Sequence, residues 1–579
     1  MKVVIAKKAG FCLGVRRAVD LTLDLVNAGD AKITTFGPLI HNPQVLQVLQ
    51  EKGVGVLKTV SGKDSGAGTV IIRAHGVPPE AKNTLQDAGF QVKDATCPRV
   101  LKVQAIITKH QTLGKRTVII GDKNHAEVVG LMGYAGDDCL VISSEDEVQS
   151  LELDSPYIVV SQTTQDDLTF EAISRAIVTR FPGGKVFNTI CDSTHVRQHE
   201  VRKLCNEVEA LVVVGGKNSA NTKRLGEIAL GLGKEVFLIE SEDELDVRAL
   251  GRYDRVGITA GASTPTWMIN RVVRALEAIP GRNEGTIRPL LFKTIRFLMI
   301  SNIYVSLAGA LLTSACSLLQ GIDQTLEDSL IAFFYLFAMH NINRLTDQKA
   351  KYFNDPSYVQ FSERYKRSLL FVSGGFLLIS SVLIAEHGVL PLVLFLCMSV
   401  LGMLYRIRFI PVFLAAKIKV SRLKEIPGSK TFFVALAWAM IVSLLPVLNS
   451  GADLSVVHLT VFMFVLFFVF VRNALFDVFD VQGDRIVGKE TLPVLIGAQK
   501  TLVLLNWLIG FLCVYVVAAS LSGLIIMPYG VLSLIGVVYL AAFMYMYQKG
   551  RLSPGVRLEF GLETTFVVFS ACIALGVLL

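Results

Sequence analysis

The chain lacks the cysteine spacings of a disulfide-stapled or structural zinc protein. Its nine cysteines are scattered over 579 residues, without the paired arrangement of a secretory disulfide framework. Local Cys-x2–4-Cys pairs, which structural zinc sites usually bring, do not occur. Met1–Lys8 holds only a short apolar run and no cleavage site, so no signal peptide is expected. These absences fit a reducing, cytoplasmic compartment for the first half. The net charge of +8 raises the question of nucleic acid. The basic residues that need explaining, however, lie between long apolar stretches, so no nucleic-acid partner is expected.

The mean hydropathy of +0.50 averages two different halves. Residues 1 to about 280 mix apolar runs with many charges, as a soluble α/β protein does. From about residue 292 onward, apolar stretches of roughly 17–22 residues recur, long enough to cross a bilayer. So long a chain exceeds one ordinary domain.

Three cysteines stand in distinctive frames: Gly10-Phe11-Cys12-Leu13-Gly14, Asp94-Ala95-Thr96-Cys97-Pro98 and Asn188-Thr189-Ile190-Cys191-Asp192-Ser193-Thr194. Each follows an apolar or β-prone run and is set among turn residues, so each thiol is expected at a strand end. Three converging thiolates can hold an iron–sulfur cluster and leave one iron without a protein ligand. Structural zinc is the competing metal. Cys316, Cys397, Cys513 and Cys572 lie in apolar spans, where a cysteine acts as a small hydrophobe.

Val3–Ala6, Thr69–Arg73, Arg116–Ile120, Tyr157–Ser161, Ala210–Val214, Glu235–Ile239 and Arg255–Thr259 are predicted strands. Helical patterns such as Val15–Ala28, Arg99–Leu113, Asp167–Phe181 and Val196–Val208 alternate with them. The alternation predicts parallel sheets in an α/β fold. The cysteine frames recur roughly every 90 residues, which suggests three related units. Polar residues gather after the strands: His41, His75, His125 with Glu127, Thr163, Ser219 with Asn221, and Ser263. Ligands of open α/β sheets bind at such carboxyl ends. Imidazole, hydroxyl and amide donors there suit an anion such as a diphosphate. His125 and Glu127, two residues apart, would face one pocket if their segment were extended.

Gly10-Phe11-Cys12-Leu13-Gly14-Val15, Arg73-Ala74-His75-Gly76-Val77, Asp94-Ala95-Thr96-Cys97-Pro98, His125-Ala126-Glu127-Val128, Gln162-Thr163-Thr164, Lys217-Asn218-Ser219 and Thr259-Ala260-Gly261-Ala262-Ser263 together resemble the 4-hydroxy-3-methylbut-2-enyl diphosphate reductases of the non-mevalonate isoprenoid pathway. The resemblance implies three α/β units, arranged with pseudo-threefold symmetry around a central [4Fe–4S] cluster held by Cys12, Cys97 and Cys191. It implies that His41, His75, His125, Thr163, Thr194, Ser219, Asn221 and Ser263 bind hydroxymethylbutenyl diphosphate. Glu127, helped by Thr163, would supply the proton that turns the allylic hydroxyl into water. Two electrons, from a donor such as ferredoxin or flavodoxin, would give isopentenyl and dimethylallyl diphosphates. The family often has Ser-Ser-Asn where this chain has Ser219-Ala220-Asn221, so one phosphate contact is expected to be lost.

Pro280–Gly285 is polar and is read as part of a linker, residues 281–291, between a domain at 1–280 and a membrane domain at 292–579. About nine spans are expected, near 294–316, 326–343, 368–385, 389–405, 432–448, 456–474, 501–521, 524–546 and 562–579. Loops at 344–367, 406–431, around 485–500 and at 549–557 are rich in Lys and Arg. The alternate loops near 317–325, 386–388, 449–455 and 522–523 have none. The positive-inside rule then puts the first domain in the cytoplasm, the helices in the inner (cell) membrane among its lipids, and the C-terminus outside.

Asp477, Asp480 and Asp484 stand at i, i+3 and i+7, on one face of a helix. Three such carboxylates repel unless a cation sits among them, and Mg2+ bound to a diphosphate is a natural partner. With Arg485–Pro493, the stretch around Tyr405 and Ile426–Lys430, this segment is similar to the second Asp-rich motif of UbiA-type intramembrane prenyltransferases. That resemblance implies Mg2+, a prenyl diphosphate and an acceptor as partners. The first motif falls at Asn343–Lys351 and would bring Asn343 and Asp347 to the metal. Arg344 and Lys351 stand where the family usually has carboxylates. Either these cations contact the diphosphate, or this half is an anchor or a lipid-diphosphate binding module.

Overall fold

The computed structural model describes residues 1–29, 32–59, 68–153, 156–283, 285, 287–346, 348–404 and 429–577. It divides into two units, Met1–Glu284 and Gly285–Leu579.

The first unit carries twelve strands: β1 Lys2–Ile5, β2 Ile33–Phe36, β3 Gly55–Leu57, β4 Thr69–Ile72, β5 Gln91–Asp94, β6 Arg116–Ile120, β7 Leu140–Ile142, β8 Tyr157–Ser161, β9 Lys185–Val186, β10 Ala210–Val214, β11 Glu235–Ile239 and β12 Arg255–Ala260. They form three four-stranded sheets, ordered β3-β2-β4-β5, β7-β6-β8-β9 and β1-β12-β10-β11. Every pairing is parallel. Helices α1 Leu13–Ala28, α2 Pro43–Glu51, α3 Pro79–Asp87, α4 Pro98–Gln111, α5 Ala126–Ala135, α6 Asp167–Arg180, α7 Asp192–Cys205, α8 Ala220–Gly231, α9 Val247–Leu250 and α10 Thr266–Glu277 connect them.

The strand period sorts each central strand between two cores. In β10, Val212 and Val214 pack with Ile258 and Val272 on one face, while Leu211 and Val213 pack with Val201 and Leu225 on the other. In β6, Val118 and Ile120 enter one core and Ile119 another. Burial on both faces explains why these strands read as continuous apolar runs. All seven expected strands are present, within a residue at their ends. Strands β2, β3, β5, β7 and β9 were not expected. Apart from β2 they lie at sheet edges, where such a run is absent.

In the second unit, seven helices among the described residues are long and apolar enough to cross a membrane: Ile303–Gln320, Lys366–Ala385, Ser429–Asn449, Val456–Val487, Ala498–Leu521, Tyr529–Gln548 and Val556–Leu575. Three expected spans differ. The span near 294–316 is two helices, Ile287–Ile300 and Ile303–Gln320, broken at Asn302, which takes a left-handed φ of 62°. Its side-chain Nδ2 donates to Asn341 Oδ1 at 3.1 Å, inside the unit. The 326–343 span is the helix Leu326–Thr346, whose Glu327, Asp328 and Arg344 lower its hydropathy. The 389–405 span is Val389–Leu404, only 16 residues long.

Candidate active site

All six expected ligand-bearing loops leave the carboxyl ends of strands in the first unit. His41 follows β2, His75 follows β4, His125 follows β6, Thr163 follows β8, Ser219 and Asn221 follow β10, and Ser263 follows β12. The loops meet at one cavity of about 90 Å3, lined by all of these residues together with Cys12, Cys97, Cys191, Glu127 and Thr194. Val15, Arg99, Val100, Thr164 and Ser193 line it as well. Val15, Thr164 and Ser193 belong to the motifs quoted above, while Arg99 and Val100, in the first turn of α4, carry no chemical signature in the sequence.

Each cysteine stands at the N-cap position of a helix. Cys12 precedes α1, Cys97 precedes α4 and Cys191 precedes α7, all with extended backbones. Cys12 Sγ accepts the Val15 amide at 3.4 Å. Three helix N-termini therefore turn their partial positive ends toward three sulfurs, which favours thiolates. Burial pushes the Cys97 and Cys191 thiols up, and the charge of neighbouring cysteines adds to this. Mutual repulsion among thiolates is the condition that a shared cation relieves. Helix α1 approaches closely enough that a Cβ on Gly14 would overlap Cys97 Sγ.

The cysteine loops are tied to the ligand loops through their backbones. The amides of Cys12, Cys97 and Cys191 donate to the carbonyls of Ala262, Ala74 and Thr163 at 3.0, 2.9 and 2.9 Å. Each sulfur is thus fixed beside a polar group of the cavity: Ser263, His75 and Thr163.

Three imidazoles pack against one another in the cavity wall, tilted or edge to face. The His41–His75, His75–His125 and His41–His125 ring centroids lie 4.5, 5.6 and 5.7 Å apart. Burial lowers all three pKa values, to about 4 for His125 and well below 6.5 for His75, whose neighbours His41 and His125 push it further. The rings are therefore neutral near pH 7. His41 Nε2, His75 Nδ1 and both amide atoms of Asn221 are buried without hydrogen-bond partners. Orphaned polar atoms at one cavity wall mark a place for a polar ligand. Ser263 Oγ donates to the His41 carbonyl at 3.0 Å, joining two of the lining loops.

The segment joining His125 to Glu127 is not extended. His125 caps α5 and Glu127 stands in its first turn. Both still reach the cavity, because the cap residue is extended (φ −72°, ψ 137°) and first-turn side chains lean back toward the N-terminus. The Glu127 amide donates to His125 Nδ1 at 3.2 Å. Burial pushes the Glu127 carboxyl up to about 7, against two hydrogen bonds from Thr163.

Residues 3–277 match the LytB protein family. The 4-hydroxy-3-methylbut-2-enyl diphosphate reductase of Geotalea uraniireducens is 42% identical over 282 residues, which are 48% of this chain and 98% of that protein. The chain belongs to the LytB family. The reductase of Trichlorobacter lovleyi is 40% identical over 279 residues, 48% of this chain and 99% of that protein. Residues 329–560 match the UbiA prenyltransferase family, and with the seven apolar helices this makes the LytB-family chain a membrane protein with a prenyltransferase-like half. A UbiA homologue from Archaeoglobus fulgidus, bound to GPP and Mg2+, is 17% identical, with a TM-score of 0.35 over 48% of this chain and 98% of that one.

In the UbiA-like half, Asp477, Asp480 and Asp484 lie on the long helix Val456–Val487, as expected. Lysines stand against all three. Lys351 Nζ is 2.5 Å from Asp480, Lys430 Nζ 3.6 Å from Asp477 and Lys489 Nζ 3.3 Å from Asp484. Thr431 Oγ1 also donates to Asp477 at 2.5 Å, and Asn354 Nδ2 to Asp480 at 2.8 Å. The two cations expected near the first motif part company. Arg344 turns to the Ile300 carbonyl and Asn302 Oδ1, with its guanidinium 3.6 Å from the Tyr358 ring centre. Lys351 alone of the two reaches the carboxylate face. Asn343 is half-buried on the helix that carries Arg344. Asp347, Tyr405, the segment 426–428 and most of the basic loop at 406–431 lie outside the described residues. A buried Arg472–Glu563 pair, with Arg472 also donating to Asn473 at 2.6 Å, joins Val456–Val487 to Val556–Leu575. Sequence reasoning missed it, although a charge inside an apolar span is itself a signal.

Proposed function

We propose that the first unit reduces 4-hydroxy-3-methylbut-2-enyl diphosphate to isopentenyl and dimethylallyl diphosphates. The observation that carries this reading is the meeting of three cysteines at helix N-termini, three neutral imidazoles and one buried carboxyl pushed up to about 7 in a single cavity. In this partition residues 1–280 form the reductase, 281–291 the linker and 292–579 the membrane domain. The division of the chain at Glu284–Gly285 supports it.

Cys12, Cys97 and Cys191 fit a [4Fe–4S] cluster, which when bound supplies electrons and an iron without a protein ligand. The chain's own residues do the rest. His41, His75 and His125, with Ser219, Asn221 and Ser263, receive the diphosphate through neutral donors, and an anion there draws protons onto the imidazoles. Thr163 and Thr194 bound the cavity on the thiol side. Glu127, half-protonated near pH 7, donates a proton to the allylic hydroxyl. The C–O bond breaks, the oxygen leaves as water, and a new C–H bond forms on the allyl group. The balance takes up two electrons and two protons, the electrons coming from a carrier such as ferredoxin or flavodoxin.

One observation favours a second reading of the cavity. The ligand nitrogens of His41, His75 and His125 lie within 4.8 Å of one another and could hold a divalent metal. The test is the anaerobically purified full chain in detergent, assayed with hydroxymethylbutenyl diphosphate and a reduced one-electron donor. Equimolar iron and acid-labile sulfide, with turnover that survives a zinc chelator, supports the reductase. A colourless, zinc-bearing protein without turnover contradicts it.

In this reading the membrane unit lies in the cell membrane, with the reductase on the cytoplasmic side and, after an odd number of crossings, the C-terminus outside. The basic loops support that orientation. The unit would take a prenyl diphosphate at Asp477, Asp480 and Asp484 with Mg2+, Asn343 and Asp347 completing the metal set, and pass the prenyl group to an acceptor. The lysines already set against the three aspartates favour the alternative of an anchor or prenyl-diphosphate binding module. Prenyl transfer by the full chain with Mg2+ separates the two.

A further inference from the structure

Arg197 is a buried charge that the proposed reaction does not use. It stands on α7, six residues after Cys191, and is 4% exposed. Its Nη2 donates to the Gly10 carbonyl and its Nη1 to Ser193 Oγ. Gly10 lies two residues before Cys12, and Ser193 two residues after Cys191. One guanidinium therefore ties together two of the three thiol loops, from positions 187 residues apart in sequence.

Its charge balance is unusual. Among the described residues no carboxylate makes an ion pair with Arg197, and its Nε is buried without a partner. Glu200, the nearest acid along the helix, is engaged by the backbone amides of Lys7 and Lys8 at 2.6 and 2.9 Å. The groups whose negative charge acts most strongly on Arg197 are Cys12 and Cys191, ahead of Glu200. A guanidinium stays charged in proteins, and a buried cation needs a compensating anion. With a cluster bound, the compensation would come from the ligating thiolates and the negative charge they carry with them.

We propose that Arg197 is a positioning residue that also raises the reduction potential of the cluster. It fixes the Cys12 and Cys191 loops relative to each other. Its permanent charge, held in a low-dielectric setting, favours the state with one more electron. This rests on the proposed function, since it takes the three thiolates to be cluster ligands.

The test uses the full chain, anaerobic and in detergent, with the cluster's midpoint read by EPR-monitored redox titration. Arg197→Gln keeps hydrogen-bonding capacity and removes the charge. It is expected to retain iron and sulfide but to disfavour reduction at least tenfold, a shift of about 59 mV to more negative potential for one electron. Arg197→Lys is expected to stay near the parental midpoint. A parental midpoint in Arg197→Gln overturns the proposal. Should that variant lose its iron, Arg197→Lys decides: iron retained at the parental midpoint supports a role for charge, and loss of iron there too reduces Arg197 to packing and overturns it. A parent chain that binds no cluster overturns the proposed function, and this inference with it.

Discussion

Thr163 grips Glu127 at both carboxyl oxygens: its backbone N–H donates to Oε1 at 2.7 Å and its hydroxyl to Oε2 at 2.8 Å. Both residues are buried. Burial favours the neutral acid and the two hydrogen bonds favour the carboxylate. Burial wins, but not outright, and the carboxyl comes to rest at about 7. A hydrogen bond to a charged group is worth ~1.5–3 kcal/mol, which is about one to two pH units. Thr163→Val should therefore move the alkaline limb of the kcat/KM profile upward by about that much, while Thr163→Ser should leave it in place. A limb that stays put in Thr163→Val would show that another group sets it.

The parent profile has a fixed sign. Only protonated Glu127 can donate, so kcat/KM should fall about tenfold per pH unit above roughly 7. Glu127→Gln keeps the side chain's shape and can still bond Thr163, but has no proton to give at an accessible pKa. Turnover should drop by ~10²–10⁴ with substrate affinity nearly unchanged, read by single-turnover and equilibrium binding measurements. An equal loss of affinity would make Glu127 a binding residue instead.

The histidine cluster predicts proton-coupled binding. Burial holds His41, His75 and His125 below the usual imidazole range in the free protein. A bound diphosphate supplies the missing negative charge and raises those values. Binding should then take up protons and tighten as the pH falls from 8 toward 6. Calorimetry in buffers of different ionisation enthalpy measures the uptake directly. His41→Asn should lose part of it, and a parent that binds with no proton uptake would mean that the imidazoles do not meet the phosphates.

What the sequence made legible depended on where the partner of each residue lies. Cys12, Cys97 and Cys191 stood out because the turn residues that frame each of them at a helix start are local features. The strands β4, β6, β8 and β10 were legible because burial on both faces writes an unbroken apolar run. Edge strands such as β3 and β9 write no such run. The helical start at Glu127 was not legible because His125 caps α5 with its ring nitrogen, outside the usual Ser, Thr, Asp and Asn set. Arg197 looked like an ordinary helix residue, since Gly10 is 187 positions away. The three aspartates were read correctly as one helix face, yet Lys351 meets Asp480 across 129 residues and no local pattern announces it.

That last pair yields a prediction for the membrane half. Lys351 and Asp480 are in ion-pair contact at 2.5 Å, with side chains 33% and 18% exposed, so water screens them only in part. Lys351→Asp replaces attraction by repulsion between two carboxylates. Breaking a fully buried pair costs ~3–5 kcal/mol, and partial exposure here should reduce that. A divalent cation bridging the two carboxylates would restore the balance, because hard cations favour paired oxygen ligands. The full-length variant in detergent should therefore melt below the parent without Mg2+ and recover when Mg2+ is added. The parent, whose carboxylate already has a lysine, should respond much less. Equal melting of the two proteins with and without Mg2+ would mean that Lys351 does not compensate Asp480, and the charge balance of that helix face would have to come from elsewhere.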